Sequence, residues 1–250
     1  MIKNILGRIY FAYAMTVFII TMLVILIPVF FLSFFPDPAR TKAVHKVFRI
    51  WMGIYLPLVF CLVKRTGKEH FKKGQQYVVV INHNSFADIP VSSPWIPGPN
   101  KTLGKVEMSK IPLFSVIYKA GAVLVDRKNA DSRRESFAKM QETLEMGIHL
   151  CLYPEGTRNK TNEPLQPFFD GAFITAIKAQ TPIMPGILFN TAKIMPNNKK
   201  FWARPMPIRF DFLTPIPTEG LTLDDVPALK ERVHNIMETY YMAHKNNGKA

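Results

Sequence analysis

The sequence predicts an α/β protein in which a mostly parallel mixed sheet is flanked by helices and preceded by an N-terminal pair of hydrophobic membrane helices. Two observations predict this fold class. The first part of the chain contains two long charge-free stretches. From about residue 74, short apolar β-branched runs alternate with helical patterns. Continuous apolar runs of this kind are typical of strands that are covered on both faces, as in a parallel sheet.

The first charge-free stretch comprises the 27 residues from Ile9 to Phe35. A helix rises about 1.5 Å per residue, so this stretch would extend roughly 40 Å and could cross a hydrocarbon core of about 30 Å. It is too long for the apolar region of a signal peptide, and no small-residue cleavage pattern follows it. We expect a membrane helix, in which Pro28 also permits a re-entrant dip.

The second charge-free stretch comprises the 14 residues from Ile50 to Val63. It is short for a span and predicts an interfacial or re-entrant helix. Basic residues lie on both sides of it: Arg40, Lys42, Lys46, Arg49, Lys64, Arg65, Lys68, Lys72 and Lys73. Because basic flanks stay on the cytoplasmic side, we expect the rest of the chain to face the cytoplasm at the inner membrane.

The chain divides into three predicted parts. Residues 1–73 are the membrane-anchoring helices and their basic flank, residues 74–220 an α/β domain, and residues 221–250 a C-terminal helix and tail. The predicted strands are Tyr77–Asn82, Lys101–Leu103, Ala122–Val125, Ile148–Tyr153, Ile183–Phe189 and Ile208–Leu213. The predicted helices begin near Ser85, near Pro112, at Ser132, at Gly171 and after Thr222.

The balance of charge predicts an anionic partner. The chain has 32 Lys and Arg against 18 Asp and Glu, a formal net charge of +14. The basic flanks assign much of this charge to an anionic phospholipid membrane. Because no nucleic-acid-binding module is recognisable, we expect no nucleic acid partner. The two cysteines exclude a disulfide framework, and no Cys/His spacing predicts a metal.

One candidate site pairs His83 with Asp88. His83 follows a predicted strand, and Asp88 falls in the first turn of the next helix, within reach of the imidazole. Such a carboxylate would orient the ring and leave its other nitrogen free to accept a proton. The same carboxylate could instead close a capping box with Ser85, a purely structural role. His149, inside a predicted strand, is interpreted as structural.

A second candidate site is the segment from Tyr153 to Asn159, directly after a strand. Gly156 allows a tight turn and a close approach to a ligand. Thr157 and Arg158 add a hydroxyl and a bidentate cation, both suited to phosphate. The alternative is a polar turn with a surface salt bridge. The segment is not a Walker loop. The pair Gly104-Lys105 is not part of one either, because Pro99 stands where a Walker loop has its first glycine, five residues before Gly104.

Together these segments resemble the glycerolipid acyltransferase family, and within it the bacterial 1-acyl-glycerol-3-phosphate acyltransferases. The matching blocks are His83-x-x-x-x-Asp88, the run from Gly121 to Arg127, the run from Tyr153 to Arg158, and the run from Thr181 to Pro185. Lys105 matches a lysine often found between the first two blocks. The resemblance covers about residues 75–190, in the order of the family.

The resemblance implies a role for each site residue. His83 would act as general base and Asp88 would orient it. Glu155, Gly156 and Arg158 would bind the glycerol phosphate of the acceptor, with Lys105 and Arg127 as further candidates. The implied reaction transfers an acyl chain from acyl-CoA or an acyl carrier protein to the sn-2 hydroxyl of 1-acyl-glycerol-3-phosphate, giving phosphatidate for phospholipid biosynthesis. It needs no cofactor.

Three other functions stay open at this stage. The acceptor could be another lysolipid, such as a lyso-ornithine lipid. The protein could be a membrane-anchored serine hydrolase with Ser85 as nucleophile, although Ser85 lacks the G-x-S-x-G elbow. It could also be a non-catalytic basic lipid-binding protein, in which the His83 and Asp88 pair is incidental.

Overall fold

The computed structural model describes residues 1–126, 129–161 and 163–246. Its strands are β1 Val63–Thr66, β2 Val78–Ile81, β3 Asn100–Lys105, β4 Ala122–Val125, β5 His149–Leu152, β6 Ile183–Phe189 and β7 Ile208–Phe212. Its α-helices are α1 Ile2–Leu32, α2 Ala39–Leu58, α3 Asp88–Trp95, α4 Phe114–Gly121, α5 Ala130–Glu145, α6 Gly171–Lys178, α7 Thr191–Ile194 and α8 Val226–His244. Single 3₁₀ turns are Lys68–His70, Val106–Lys110 and Leu223–Asp225.

The seven strands form one sheet in the order β1-β7-β6-β2-β5-β3-β4. All neighbours are parallel except β6 and β7, which are antiparallel. The central strand β2 places Val79 opposite Cys151 of β5 and Met184 of β6. This confirms the predicted mostly parallel mixed sheet. The central strands β2, β5 and β6 are buried on both faces, which explains why they are nearly continuous apolar runs.

Two apolar layers enclose the sheet. On one face, helices α5, α6 and α8 pack against alternate strand residues such as Val78, Val80 and Leu150. On the other face, α1 to α4 pack against the intervening residues, including Val79, Ile81 and Cys151. The same face therefore carries both the N-terminal helices and the helices that follow β2 and β3.

The second N-terminal helix differs from the predicted one. The stretch Ile50–Val63 is not a single element, because α2 begins at Ala39 and ends at Leu58, while Val63 begins β1. The apolar residues Val44, Phe48 and Met52 recur at helical spacing and are buried against the domain. The search for charge-free stretches missed the first half of this helix, because that half contains basic residues. The first strand of the sheet, β1, also lies within residues 1–73, which were assigned to the membrane helices and their basic flank.

Helix α1 lies along the α/β domain and contacts it at both ends. Near its start, the backbone N–H of Ala203 donates to the carbonyl oxygen of Gly7 at 3.0 Å. Just beyond its end, the Nζ of Lys101, on β3, donates to Oδ2 of Asp37 at 2.7 Å. Within residues 1–126, 129–161 and 163–246, α1 is the one helix long and apolar enough to cross a membrane.

Candidate functional site

The side chains of His83 and Asp88 meet at the carboxyl edge of the sheet. His83 follows β2, and its Nδ1 lies 2.8 Å from Oδ2 of Asp88 in the first turn of α3. Asp88 is fully buried, whereas the His83 side chain is 14% exposed. The Nε2 of His83 has no hydrogen-bond partner among the residues that the structure describes. The pair thus has the geometry of an oriented general base.

The Asp88 carboxylate also makes half of the capping box that the sequence left open, although the N-cap of α3 is Ala87 and has no side-chain cap. Its Oδ2 accepts hydrogen bonds from the backbone N–H groups of Asn84 and Ser85, each at 2.7 Å. The hydroxyl of Ser85 donates instead to the carbonyl oxygen of Met195 at 2.9 Å. One carboxylate oxygen therefore fixes both the loop and the imidazole, and no complete capping box forms with Ser85.

The ring of Tyr153 stacks on the His83 imidazole, a contact that the sequence did not predict. The ring centroids are 4.2 Å apart with an interplanar angle of 25°. The Tyr153 hydroxyl is hydrogen-bonded to the hydroxyl of Ser92 on α3 at 2.6 Å. Tyr153 follows β5 directly, and β5 is parallel to β2, so both rings project from the same edge of the sheet.

Glu155 is buried and holds the main chain beside His83. Its Oε1 accepts from the backbone N–H of His83 at 2.7 Å, and its Oε2 accepts from the backbone N–H of Gln166 at 3.0 Å. The carbonyl oxygen of His83 is held as well, because the backbone N–H of Asn159 donates to it at 2.6 Å. Burial raises the pKa of Glu155 to about 7, although the two N–H groups oppose this shift.

Arg158 lies close to the loop of residues 82–87, named the catalytic loop after the predicted role of His83, and is held by two contacts. Its guanidinium lies over the Phe86 ring at 3.5 Å from the centroid. Its Nη1 donates to Oδ1 of Asn197 at 3.0 Å. The Nδ2 of Asn197 donates to the carbonyl oxygens of Asn84 and Asn159, at 2.9 and 2.8 Å. Asn197 was missed because no pattern in its surface loop distinguishes it.

The other sequence-predicted site residues lie around this edge. Gly156 has φ +68° in the turn after β5, a conformation that favours glycine. Thr157 is exposed next to it. Lys105 is exposed at the carboxyl end of β3, which is parallel to β5. Arg127 lies outside the described residues. The substrate-binding roles of all these residues stay predictions.

His149 lies at the opposite edge of the sheet and is structural, as interpreted from the sequence. Its Nδ1 accepts from the backbone N–H of Tyr77 at 3.2 Å, and its Nε2 lies 3.1 Å from the carbonyl oxygen of Pro97. Burial lowers the pKa of His149 to about 4, so the ring is neutral at physiological pH. Both ring nitrogens are used by the backbone.

An apolar cavity of about 510 Å³ reaches the catalytic loop. Its walls come from α1, α2 and α4, and include Ala14, Trp51 and Ile117. Phe86 and Ala87, which lie between His83 and Asp88 in the chain, also line it. A cavity of this size and apolar character suits an aliphatic chain.

Comparison with known proteins identifies the class to which this fold and site belong. A protein-family model described as Acyltransferase matches residues 62–188. The chain is 31% identical over 190 residues to the 1-acyl-sn-glycerol-3-phosphate acyltransferase of Helicobacter pylori, covering 74% of this chain and 78% of that protein. The chain therefore belongs to the acyltransferase family.

Other relatives carry related names. The chain is 33% identical over 190 residues to 1-acyl-sn-glycerol-3-phosphate acyltransferase alpha of Homo sapiens, covering 75% of this chain. It spans about two thirds of the length of that protein, 66%. The crystal structure of the 1-acyl-sn-glycerophosphate (LPA) acyltransferase from Thermotoga maritima has the same fold, with a TM-score of 0.78 at 22% identity, covering 98% of this chain and 97% of that one.

Proposed function

We propose that this protein transfers an acyl chain from an acyl thioester to the sn-2 hydroxyl of 1-acyl-glycerol-3-phosphate, producing phosphatidate. The observation that carries this proposal is the His83 and Asp88 pair, together with the apolar cavity that Phe86 and Ala87 of the same loop line. The names of the relatives supply the acceptor class. The donor is acyl-CoA or an acyl carrier protein, and the reaction uses no cofactor.

The chemistry follows from the pair. The Nε2 of His83 removes the proton of the sn-2 hydroxyl as its oxygen attacks the thioester carbonyl carbon, and Asp88 stabilises the imidazolium that forms. Collapse of the tetrahedral intermediate breaks the C–S bond, and the imidazolium returns the proton to the leaving thiolate. General-base catalysis of this kind contributes typically ~10²–10⁴-fold. Stacking on Tyr153 keeps the ring plane fixed during both transfers.

Arg158 is the side chain best suited to the acceptor phosphate. Its guanidinium is held beside the catalytic loop by Phe86 and Asn197, and a bidentate cation matches phosphate geometry. Glu155 contributes differently, because both of its oxygens already accept backbone N–H groups. It acts as a positioning residue for His83 and the following loop, rather than by contacting the acceptor.

The buried hydroxyl of Ser85 argues against a serine hydrolase. Ser85 is fully buried, and its hydroxyl donates to the carbonyl oxygen of Met195. The Nδ1 of His83, two residues earlier in the chain, is directed to Asp88 instead. A nucleophilic serine needs an exposed oxygen next to a base, and this serine has neither.

The N-terminal helices that line the cavity, α1 and α2, also hold the protein on the cytoplasmic face of the inner membrane. The outer surface of α1 is apolar, with side chains such as Ile9, Ile20 and Phe31 more than half exposed. Because both ends of α1 contact the same domain, we propose that α1 enters one leaflet without crossing the bilayer. The lysolipid acceptor then reaches His83 without leaving the membrane.

An acyl-transfer assay with the purified full-length protein tests the proposed function. It compares 1-acyl-glycerol-3-phosphate, lysophosphatidylglycerol and a lyso-ornithine lipid, each with acyl-CoA and with acyl carrier protein as donor. We expect phosphatidate from the first acceptor, and no product from a His83→Ala preparation. Fatty acid release without acceptor acylation would indicate a hydrolase. Faster acylation of another lysolipid would change the acceptor, and no turnover with any pair would contradict the enzyme proposal.

A further inference from the structure

The loop of residues 196–203 connects the candidate site with helix α1. At its start, Asn197 contacts Arg158 and the catalytic loop, as described above. At its end, the indole N–H of Trp202 donates to the carbonyl oxygen of Lys3 at 3.4 Å. The indole sits on Gly7, where a Cβ atom would lie 1.8 Å from Nε1, so only glycine permits this contact. The loop is therefore seated closely on α1.

The outward side of this loop is basic and aromatic. Lys199 and Lys200 are exposed, and the Nζ of Lys199 lies 4.3 Å from the Trp202 ring centroid. No carboxylate in the described part of the chain forms a salt bridge with either lysine. Phe201 is 72% exposed, and its φ of +51° is rare for a bulky residue. Burial within the protein explains neither the exposed ring nor the strained backbone of Phe201.

Phe201 continues the apolar surface of α1. Its ring meets the ring of Phe11 edge-on, with the centroids 5.8 Å apart. The neighbouring α1 residues Ile5 and Ile9 are also at least half exposed. Lys3 and Arg8 lie in the same first turns of α1 and are exposed, as the two loop lysines are, so positive charge accompanies this apolar surface. Aromatic side chains next to lysines are the usual composition of a membrane interface.

We propose that Lys199, Lys200 and Phe201 form a second membrane contact, in which the ring enters the bilayer and the two ammonium groups bind anionic phospholipid headgroups. The charge of the loop and its continuity with the outer face of α1 favour an anionic lipid surface. The proposal rests on the membrane placement of α1 proposed above. Since Asn197 belongs to the same loop, this contact connects the lipid surface with the side chain that holds Arg158.

A fluorescent label on the loop tests this contact. The full-length Asn198→Cys protein carries a polarity-sensitive fluorophore and is reconstituted in vesicles of phosphatidylcholine alone or mixed with phosphatidylglycerol. Cys61 and Cys151 are buried and should not react. We expect a blue shift of the emission that grows with the phosphatidylglycerol fraction and is reduced by salt. Lys199→Gln/Lys200→Gln should weaken this response several-fold, since each lysine near an anionic surface contributes about five-fold in affinity.

Two controls separate the loop from the rest of the molecule. Lys139→Gln/Lys178→Gln removes the same charge from α5 and α6 on the opposite face of the sheet, and should leave the response unchanged. A label at Ile20→Cys, on the exposed face of α1, reports the membrane placement itself. If the emission of the loop label does not change with the phosphatidylglycerol fraction while the Ile20 label lies in lipid, the second contact alone is overturned. If neither label enters lipid, both the contact and the membrane placement are wrong.

Discussion

The carboxylate of Glu155 accepts a hydrogen bond from the backbone N–H of His83, so one buried acidic side chain in the loop after β5 fixes the histidine that follows β2. Its other oxygen accepts from the N–H of Gln166, further along the same loop. The proposed general base, His83, is therefore held at two points. Asp88 orients its ring, and Glu155 orients its main chain.

Replacing Glu155 should alter stability in a way that depends on pH. Its pKa is raised from its ordinary value of 4.5 to about 7 by burial, so the folded protein binds the proton more tightly than the unfolded chain. The free energy of unfolding of the wild type, relative to Glu155→Gln, should be largest below pH 4.5. It should fall as the pH rises from about 4.5 to about 7, and become level above that range.

Denaturant unfolding of both proteins across this pH range measures the difference. The exposed Glu163→Gln, in the same loop, provides the control and should show no such slope. Above about pH 7 we expect Glu155→Gln to be less stable than the wild type by about 1–3 kcal/mol, because the amide cannot accept from both backbone N–H groups, and the difference should be larger below pH 4.5. A difference that is independent of pH would contradict the buried, proton-binding environment of Glu155.

The His83 and Asp88 pair should control the rate of the chemical step. We expect His83→Ala to reduce kcat by roughly 10²–10⁴-fold, because the transition state loses its proton acceptor. Asp88→Asn should reduce kcat severely as well, since the charge that stabilises the imidazolium is removed. Acyl-transfer kinetics measure both effects, with circular dichroism to verify folding. His70→Ala should leave kcat unchanged, and near-normal kcat in His83→Ala would reject the general-base assignment.

Arg158 and Asn197 should govern affinity for the acceptor. We expect Arg158→Ala to raise KM for 1-acyl-glycerol-3-phosphate by about ten-fold or more, because a hydrogen bond to a charged group contributes about 1.5–3 kcal/mol. Asn197→Ala should raise the same KM by a few-fold, because the guanidinium loses its 3.0 Å partner. Asn198→Ala is the matched control. An equal increase of the KM for the acyl donor would show that Arg158 does not bind the acceptor specifically.

The two ends of α1 should be accessible from the same side of the membrane. The contacts of Gly7 with Ala203 and of Asp37 with Lys101 bring both ends to one domain. Single cysteines at Lys3 and Lys42 should therefore react with a membrane-impermeant maleimide added to the same side of sealed vesicles. Cys151 is fully buried, and burial raises its pKa to about 12, so its background reaction should be low. Labelling from opposite sides would show that α1 crosses the bilayer.

Local patterns predicted the strands β2, β4 and β6 well, because a buried parallel strand is a continuous apolar run that can be recognised without knowing its neighbours. The four-residue strand β1 could not be found in the same way. Its burial alternates, it contains Lys64 and Arg65, and it is a strand only because β7 lies beside it. The extent of α2 depended likewise on the domain surface that buries one of its faces.

The sequence by itself determined the chemical groups of the candidate site, since His83, Asp88, Glu155 and Arg158 each follow a recognisable strand within a spaced motif. Only the tertiary structure decided what each group does, because their partners come from distant parts of the chain. Glu155 binds a backbone 72 residues away, and Arg158 is held by an asparagine 39 residues away. Such contacts are created by the parallel strand order, which brings the ends of β2, β3 and β5 to one edge of the sheet.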